Sequence, residues 1–164
     1  MLRRFGLPIL ITAVALFGLY RIRLALRSPS EQLQQTVGTM VAEFNRGRVR
    51  SVLEHVHTDF HDKAGGADKQ MLHQALVALW GEHREAQTGV YQLEFRWMDS
   101  FNPEIAADER SATAETPFQI VDHAVEPAKV RWEGTVRTKF VLGDGGWQLL
   151  ETEGVDSIGF QRGR

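Results

Sequence analysis

The stretch KVRWEGTVRTKFVLGDGGWQLLE, residues 129–151, carries the clearest conformational signal in the chain. Val130, Trp132, Val136 and Phe140 oppose Lys129, Arg131, Glu133, Arg137 and Lys139, the period-two alternation of a half-buried strand. Gly143-Asp144-Gly145-Gly146 interrupts it with turn residues, and Trp147, Leu149 and Leu150 resume it. Residues 128–142 and 147–153 therefore pair as a hairpin. Upstream, Tyr91, Leu93, Phe95 and Trp97 alternate with Gln92, Glu94 and Arg96, and Ala112, Ala114, Phe118 and Ile120 share one face of residues 111–121. Pro117 marks an edge or a bulge there. Strands with one apolar and one polar face build an antiparallel sheet covered on one side only. The open face would carry Gln92, Glu94, Arg96, Glu115, Gln119, Arg131, Glu133, Arg137 and Lys139. Such mixed charges pair across strands and argue against a large apolar sheet-to-sheet dimer.

Before Gly89 the period is that of a helix. Ser28-Pro29-Ser30-Glu31 combines a capping serine, proline at the first helical position and a capping-box glutamate. Leu33, Val37, Met40, Val41 and Phe44 follow on one stripe, and Gly47 ends the helix. Val49, Val52, Leu53 and Val56 space a second, short helix. After the breaker Lys63-Ala64-Gly65-Gly66, Asp68 caps a third, with Met71, Leu72, Leu76, Leu79 and Trp80 as its apolar positions. The expected architecture is α+β: three helices packed on one face of a curved antiparallel sheet, behind a single transmembrane helix.

That leading helix is the uncharged run FGLPILITAVALFGLY, residues 5–20, extended to Leu26 by snorkelling Arg21 and Arg23. Residues 1–27 then form an anchor with flanking arginines, and 28–164 the domain. A cleaved signal peptide ending at Ala13-Val14-Ala15 is the competing reading, which leaves an awkwardly apolar mature end. The expected location is a single-pass membrane protein contacting the bilayer through residues 5–26. Arginines flank both ends of the run, so the side of the domain is decided only by the short tail before it, which favours export.

Charge and composition exclude several classes. Five of the 19 basic residues lie in 1–30, which has no acid, so residues 31–164 hold 14 basic against 21 acidic residues, a net of −7. An acidic domain is a poor match for nucleic acid. The chain has no cysteine, which removes disulfide scaffolds, thiolate metal sites and cysteine nucleophiles. No Gly-rich nucleotide loop, G-x-S-x-G, H-E-x-x-H or calcium loop occurs, and nothing calls for a cofactor.

Three helices followed by a sheet that closes on a Gly-rich turn resemble the nuclear transport factor 2-like (SnoaL-like) superfamily. The matching segments are VAEFNRGRVRSVLEHVHTDFHD, residues 41–62, and the hairpin 129–151, and the resemblance covers residues 31–155. It implies a cone-shaped fold hosting isomerases, dehydratases, small hydrolases, noncatalytic ligand binders and assembly modules, so it carries little about activity.

Two polar groups are candidates for chemistry. His57, Asp59 and His61 alternate onto one face of an extended HTDFHD segment, where they could bind a metal or share acid–base work. Phe60, pointing inward, would turn Asp59 and His61 to solvent. His83 lies one turn beyond Leu79 and Trp80, near the expected mouth of the cone. Trp80, Trp97, Trp132 and Trp147 are read first as core, and with Tyr91 as hydroxyl donor they are also the candidate ligand pocket. Steroid-isomerising relatives need a tyrosine and two pocket carboxylates. Tyr91 is the one tyrosine outside the leading run, and no inward carboxylate pair is evident. The sequence favours a noncatalytic, membrane-tethered domain that binds a partner protein or small apolar ligand, with a cell-envelope assembly as one setting and a structural subunit of an envelope complex as a further option. An acid–base enzyme using His57, Asp59, His61 or His83 is the alternative.

Overall fold

The computed structural model describes residues 27–158, so the expected anchor, residues 1–26, lies outside the described residues. Among those described, no helix is long and apolar enough to cross a membrane.

Helix α1 (Pro29–Asn45) starts where its local chemistry dictates. The Glu31 N–H donates to Ser28 Oγ, and the Ser28 N–H donates to Glu31 Oε2, with Pro29 at the first turn. Gly47, at φ +68°, turns the chain out of the helix. Helix α2 (Val49–Leu53) is shorter than its spacing predicts. Val56, expected on its apolar stripe, instead opens strand β1 (Val56–Asp62), where it pairs with Leu149 and is fully buried. Sheet pairing and complete burial outweigh one more half-exposed helical turn. Helix α3 (Lys69–Glu82) is capped by Asp68, whose Oδ1 accepts from the Met71 N–H at 2.8 Å.

The strands β2 (Leu93–Trp97), β3 (Glu104–Ile105), β4 (Ser111–Asp122), β5 (Lys129–Gly143) and β6 (Gly146–Ile158) complete one sheet in the order β1-β6-β5-β4-β2, with β3 on β4. The expectation of an antiparallel sheet is corrected at one edge. β1 runs parallel to β6, so the sheet is mixed. Irregularities at Ile120/Val121, Thr135/Val136 and Lys139/Phe140 bend the long strands into a trough. Leu33 and Val37 of α1 fill one end of it against Val56, Phe60, Phe140, Trp147 and Leu149.

The outer face is polar, as the alternation predicts. Arg137 donates to Glu115 at 2.8 Å and Glu153 at 3.3 Å on the two neighbouring strands, and Gln119 donates to Glu133 at 3.0 Å. Arg131 is the exception. The irregularity at Ile120/Val121 leaves it without a cross-strand partner, and it turns to Asp122 instead.

Both sheet edges are closed by side chains. Lys69 Nζ donates to Val56 O at 2.5 Å on β1. On β2, the Asn45 amide imitates a strand: its Oδ1 accepts from the Phe95 N–H at 2.7 Å, and its Nδ2 donates to Phe95 O at 3.1 Å. Asn45→Ala should cost about 1–3 kcal/mol in chemical denaturation, since it strips a part-buried donor and acceptor together. Asn45→Asp should cost a similar amount, because a carboxylate cannot donate to Phe95 O. A loss confined to Ala would show that packing, not edge pairing, is the role of Asn45.

Candidate functional site

The trough and the helices do not meet everywhere. Between them lies a cavity of about 340 Å³. Its floor is the concave face of the sheet. Phe95 and Phe118 stack with centroids 5.4 Å apart and planes 5° apart, and Trp97 stands edge-on to Phe95 at 4.7 Å. Ile120, Val136, Phe140 and Leu149 continue that floor, and Val37, Met40, Val41 and Phe44 of α1 form a side wall. The roof is α3, through Leu72, Leu76 and Leu79. No residue of α3 is fully buried, and Leu72, Leu76 and Leu79 face this space.

Among the described residues, the hydroxyl-bearing side chains lining the cavity are Thr138 and Thr152, and Trp97 adds an indole N–H. Both hydroxyl protons are already engaged: Thr138 donates to Ala114 O at 3.3 Å, and Thr152 to Asp62 Oδ1 at 2.9 Å. An occupant would therefore meet a wall with no free hydroxyl donor and no ionisable group. The site is suited to apolar molecules and unsuited to ions.

The five aromatic residues expected to line one pocket are dispersed. Trp97 lines the cavity. Trp80 and Tyr91 lie against Gly47 at the corner between α1 and α2. Burial there pushes the Tyr91 phenol up to about 12, so it stays protonated. Trp132 stands edge-on to His83 with centroids 6.4 Å apart, and Trp147 is core, 2% exposed.

The histidines are also dispersed. On β1, Phe60 is buried and Asp59 and His61 face solvent, as expected. His57 Nδ1 accepts from the Asp59 N–H at 3.1 Å, and His61 Nε2 lies 3.2 Å from Glu151, which also pairs with Lys63. That Lys63 hydrogen bond holds the Glu151 carboxyl below its ordinary range. Among the described residues, no group of three or more His, Cys, Asp or Glu side chains is placed to hold a metal ion.

His83, just past the end of α3, has a partner the sequence reading missed. Asp122 is a fully buried inward carboxylate, two residues beyond Ile120 on the same face of β4. Its Oδ2 accepts from Arg131 at 2.8 Å, its Oδ1 accepts from the Ala124 N–H at 2.8 Å, and His83 Nδ1 lies 3.8 Å away. Burial pushes its pKa up, but the Ala124 N–H and the Arg131 guanidinium outweigh this and leave it below the ordinary aspartate value. Carrying the even-numbered face of residues 112–120 one step further would have found it. Neither His83 nor Asp122 lines the cavity, and 3.8 Å exceeds hydrogen-bond range.

No protein-family model matches the sequence, and no curated protein matches it. Solved structures do match in shape. A nuclear transport factor 2-like protein with a cystatin-like fold from Novosphingobium aromaticivorans aligns at TM-score 0.61 and 13% identity, over 88% of each chain. A candidate scytalone dehydratase from the same organism aligns at 0.61 and 11%, over 82% of this chain and 94% of that one. A candidate dehydratase of the same family from Streptomyces avermitilis aligns at 0.59 and 14%, over 76% and 93%. At these identities the likeness concerns the fold: helices on a curved mixed sheet in the cystatin-like, nuclear transport factor 2-like arrangement.

Proposed function

We propose that this chain is a membrane-tethered, noncatalytic domain that binds a small apolar ligand in the cavity beneath α3. One observation carries the reading: a space of about 340 Å³ whose described lining is apolar apart from the indole N–H of Trp97 and the hydroxyls of Thr138 and Thr152, both with their protons engaged in the wall. Such a wall offers dispersion and desolvation but no acid, base or nucleophile. The tether is the apolar run of residues 5–20, extended to Leu26 by snorkelling Arg21 and Arg23. A second reading, an acid–base enzyme of the same fold, draws on the convergence of His83 and Asp122 and on dehydratases among the structural neighbours. It is the weaker one, because neither side chain lines the cavity.

The test uses the full chain in lipid nanodiscs and the neutral probe 1-aminoanthracene, read by energy transfer from tryptophan against empty discs. Saturable binding is expected. Val136→Trp, which fills the cavity, should weaken it at least about tenfold, roughly 1.4 kcal/mol, without lowering the melting temperature. Equal binding by this variant, or none by the wild type, would sink the reading. Failure of the full chain to float with vesicles would remove the tether.

A further inference from the structure

We infer that the ligand beneath α3 is a single-chain carboxylic acid, whose tail fills the cavity and whose carboxylate stays outside it, held by His83, Lys129 and Arg131. The inference rests on the ligand-binding reading above and names the class of ligand.

The two ends of the trough are unlike. At one end Leu33 and Val37 of α1 pack against Phe60, Phe140 and Trp147, all of them buried. A polar head placed there would lose its water and gain no partner. At the other end the cover stops. Helix α3 finishes at Glu82, and the cavity, which is open to solvent, gives way to polar side chains carried by the same elements. His83 lies one turn past the lining residue Leu79, and Asp122 two residues past the lining residue Ile120. Trp132 joins them, paired with Ile120 and edge-on to His83. From Leu72 to Leu79 is about 10 Å along the axis of α3, room for a medium-length acyl chain lying under the helix.

The hydrogen-bonding capacity left at this open end is that of donors. Asp122 has both oxygens engaged: Oδ1 accepts from the Ala124 N–H at 2.8 Å, and Oδ2 accepts from Arg131 Nε at 2.8 Å, with Arg131 Nη2 at the same distance. Arg131 is 41% exposed and keeps further N–H groups for other acceptors. Lys129 is exposed and stands opposite Asp122 in the β4–β5 register, which sets both on one face of the sheet. His83 Nδ1 is 3.8 Å from Asp122, outside hydrogen-bond range. Two cations and an imidazole thus gather about one carboxylate that is already satisfied. A second carboxylate, arriving on the ligand, would take charge-assisted hydrogen bonds. A hydroxyl head would exchange water for neutral partners, and a cationic head would meet like charge.

The test uses the full chain in nanodiscs, with octanoate and octan-1-ol competing against bound 1-aminoanthracene at neutral pH. The two competitors share one tail and differ in the head. Each variant is compared with wild type in discs of the same lipid, so uptake of competitor by the bilayer cancels. The ratio of the octanoate to the octanol inhibition constant should rise at least about tenfold in Arg131→Gln, which removes a charged donor. It should rise at least about fivefold in Lys129→Glu, which reverses a charge at an exposed position and leaves the Arg131–Asp122 pair intact. Lys63→Gln removes a cation at the opposite end, where the Lys63 N–H donates to Thr152 O, and should change the ratio less than about twofold. An unchanged ratio in Lys129→Glu, or an equal rise in Lys63→Gln, would overturn the assignment. Displacement of the probe by octanol but not by octanoate would overturn it too, and would leave the ligand-binding reading standing. Absence of probe binding in wild type refutes that reading and the assignment with it.

Discussion

Gly47→Ala should destabilise the domain by about 2–5 kcal/mol, while Gly38→Ala, nine residues earlier, should stabilise it by about 0.5–1 kcal/mol. The opposite signs come from position alone. Gly38 is exposed within α1, and a methyl added there meets nothing within 4 Å, so the helix gains a better former. Gly47 sits at φ +68°, where a side chain costs about 1–3 kcal/mol of backbone strain. Its methyl would also fall 2.4 Å and 2.6 Å from Cδ1 and Nε1 of Trp80, and 3.2 Å from Cβ of Tyr91. The indole cannot easily retreat, because Arg84 covers it. Overpacking of this kind adds about 1–3 kcal/mol, a large part of the ~5–15 kcal/mol that holds a typical domain. Urea denaturation followed by tryptophan fluorescence would measure both variants. Equal effects at the two glycines would mean that Trp80 does not rest on Gly47.

Features fixed by neighbouring residues were legible in the sequence. The Ser28–Glu31 capping box, the Asp68 cap, the Gly47 stop and the inward Phe60 all depend on a few adjacent positions. Alternation in residues 111–121 and 129–142 placed Glu115 and Arg137 on the polar face, where they pair, but it also put Val130 inward, and Val130 is 42% exposed. What was lost depends on distant pairing. Nothing near Val56 announces that Leu149 will claim it for a parallel edge strand. Nothing near Arg131 announces an irregularity that rotates it towards a buried aspartate. The site was misjudged for a related reason. Aromatic residues were taken as pocket lining by type, yet the cavity is set by where helix and sheet fail to touch. Its roof is three leucines of α3, and among the tryptophans only Trp97 lines it.

Asp122 provides the sharpest electrostatic test. Asp122→Ala should cost about 1–3 kcal/mol near neutral pH, since it orphans the Ala124 N–H and the Arg131 guanidinium together. The loss falls below that of breaking a fully buried pair because Arg131 is 41% exposed and keeps part of its water. Asp122→Asn retains an acceptor for Ala124 but not the charge facing Arg131, so it should cost less. The two contacts hold the folded pKa of Asp122 below its ordinary value. A carboxylate so depressed contributes stability that is full above the unfolded pKa, about 3.9, and is lost as pH falls through it towards the folded value. The stability gap between wild type and Asp122→Asn should therefore be widest above about pH 5 and narrow as the solution is acidified below about pH 4. Denaturation curves across that interval would show it. A gap that stays constant with pH would mean that Asp122 acts through shape and hydrogen bonding, and that its charge contributes nothing to holding Arg131 and the β4–β5 connection in place.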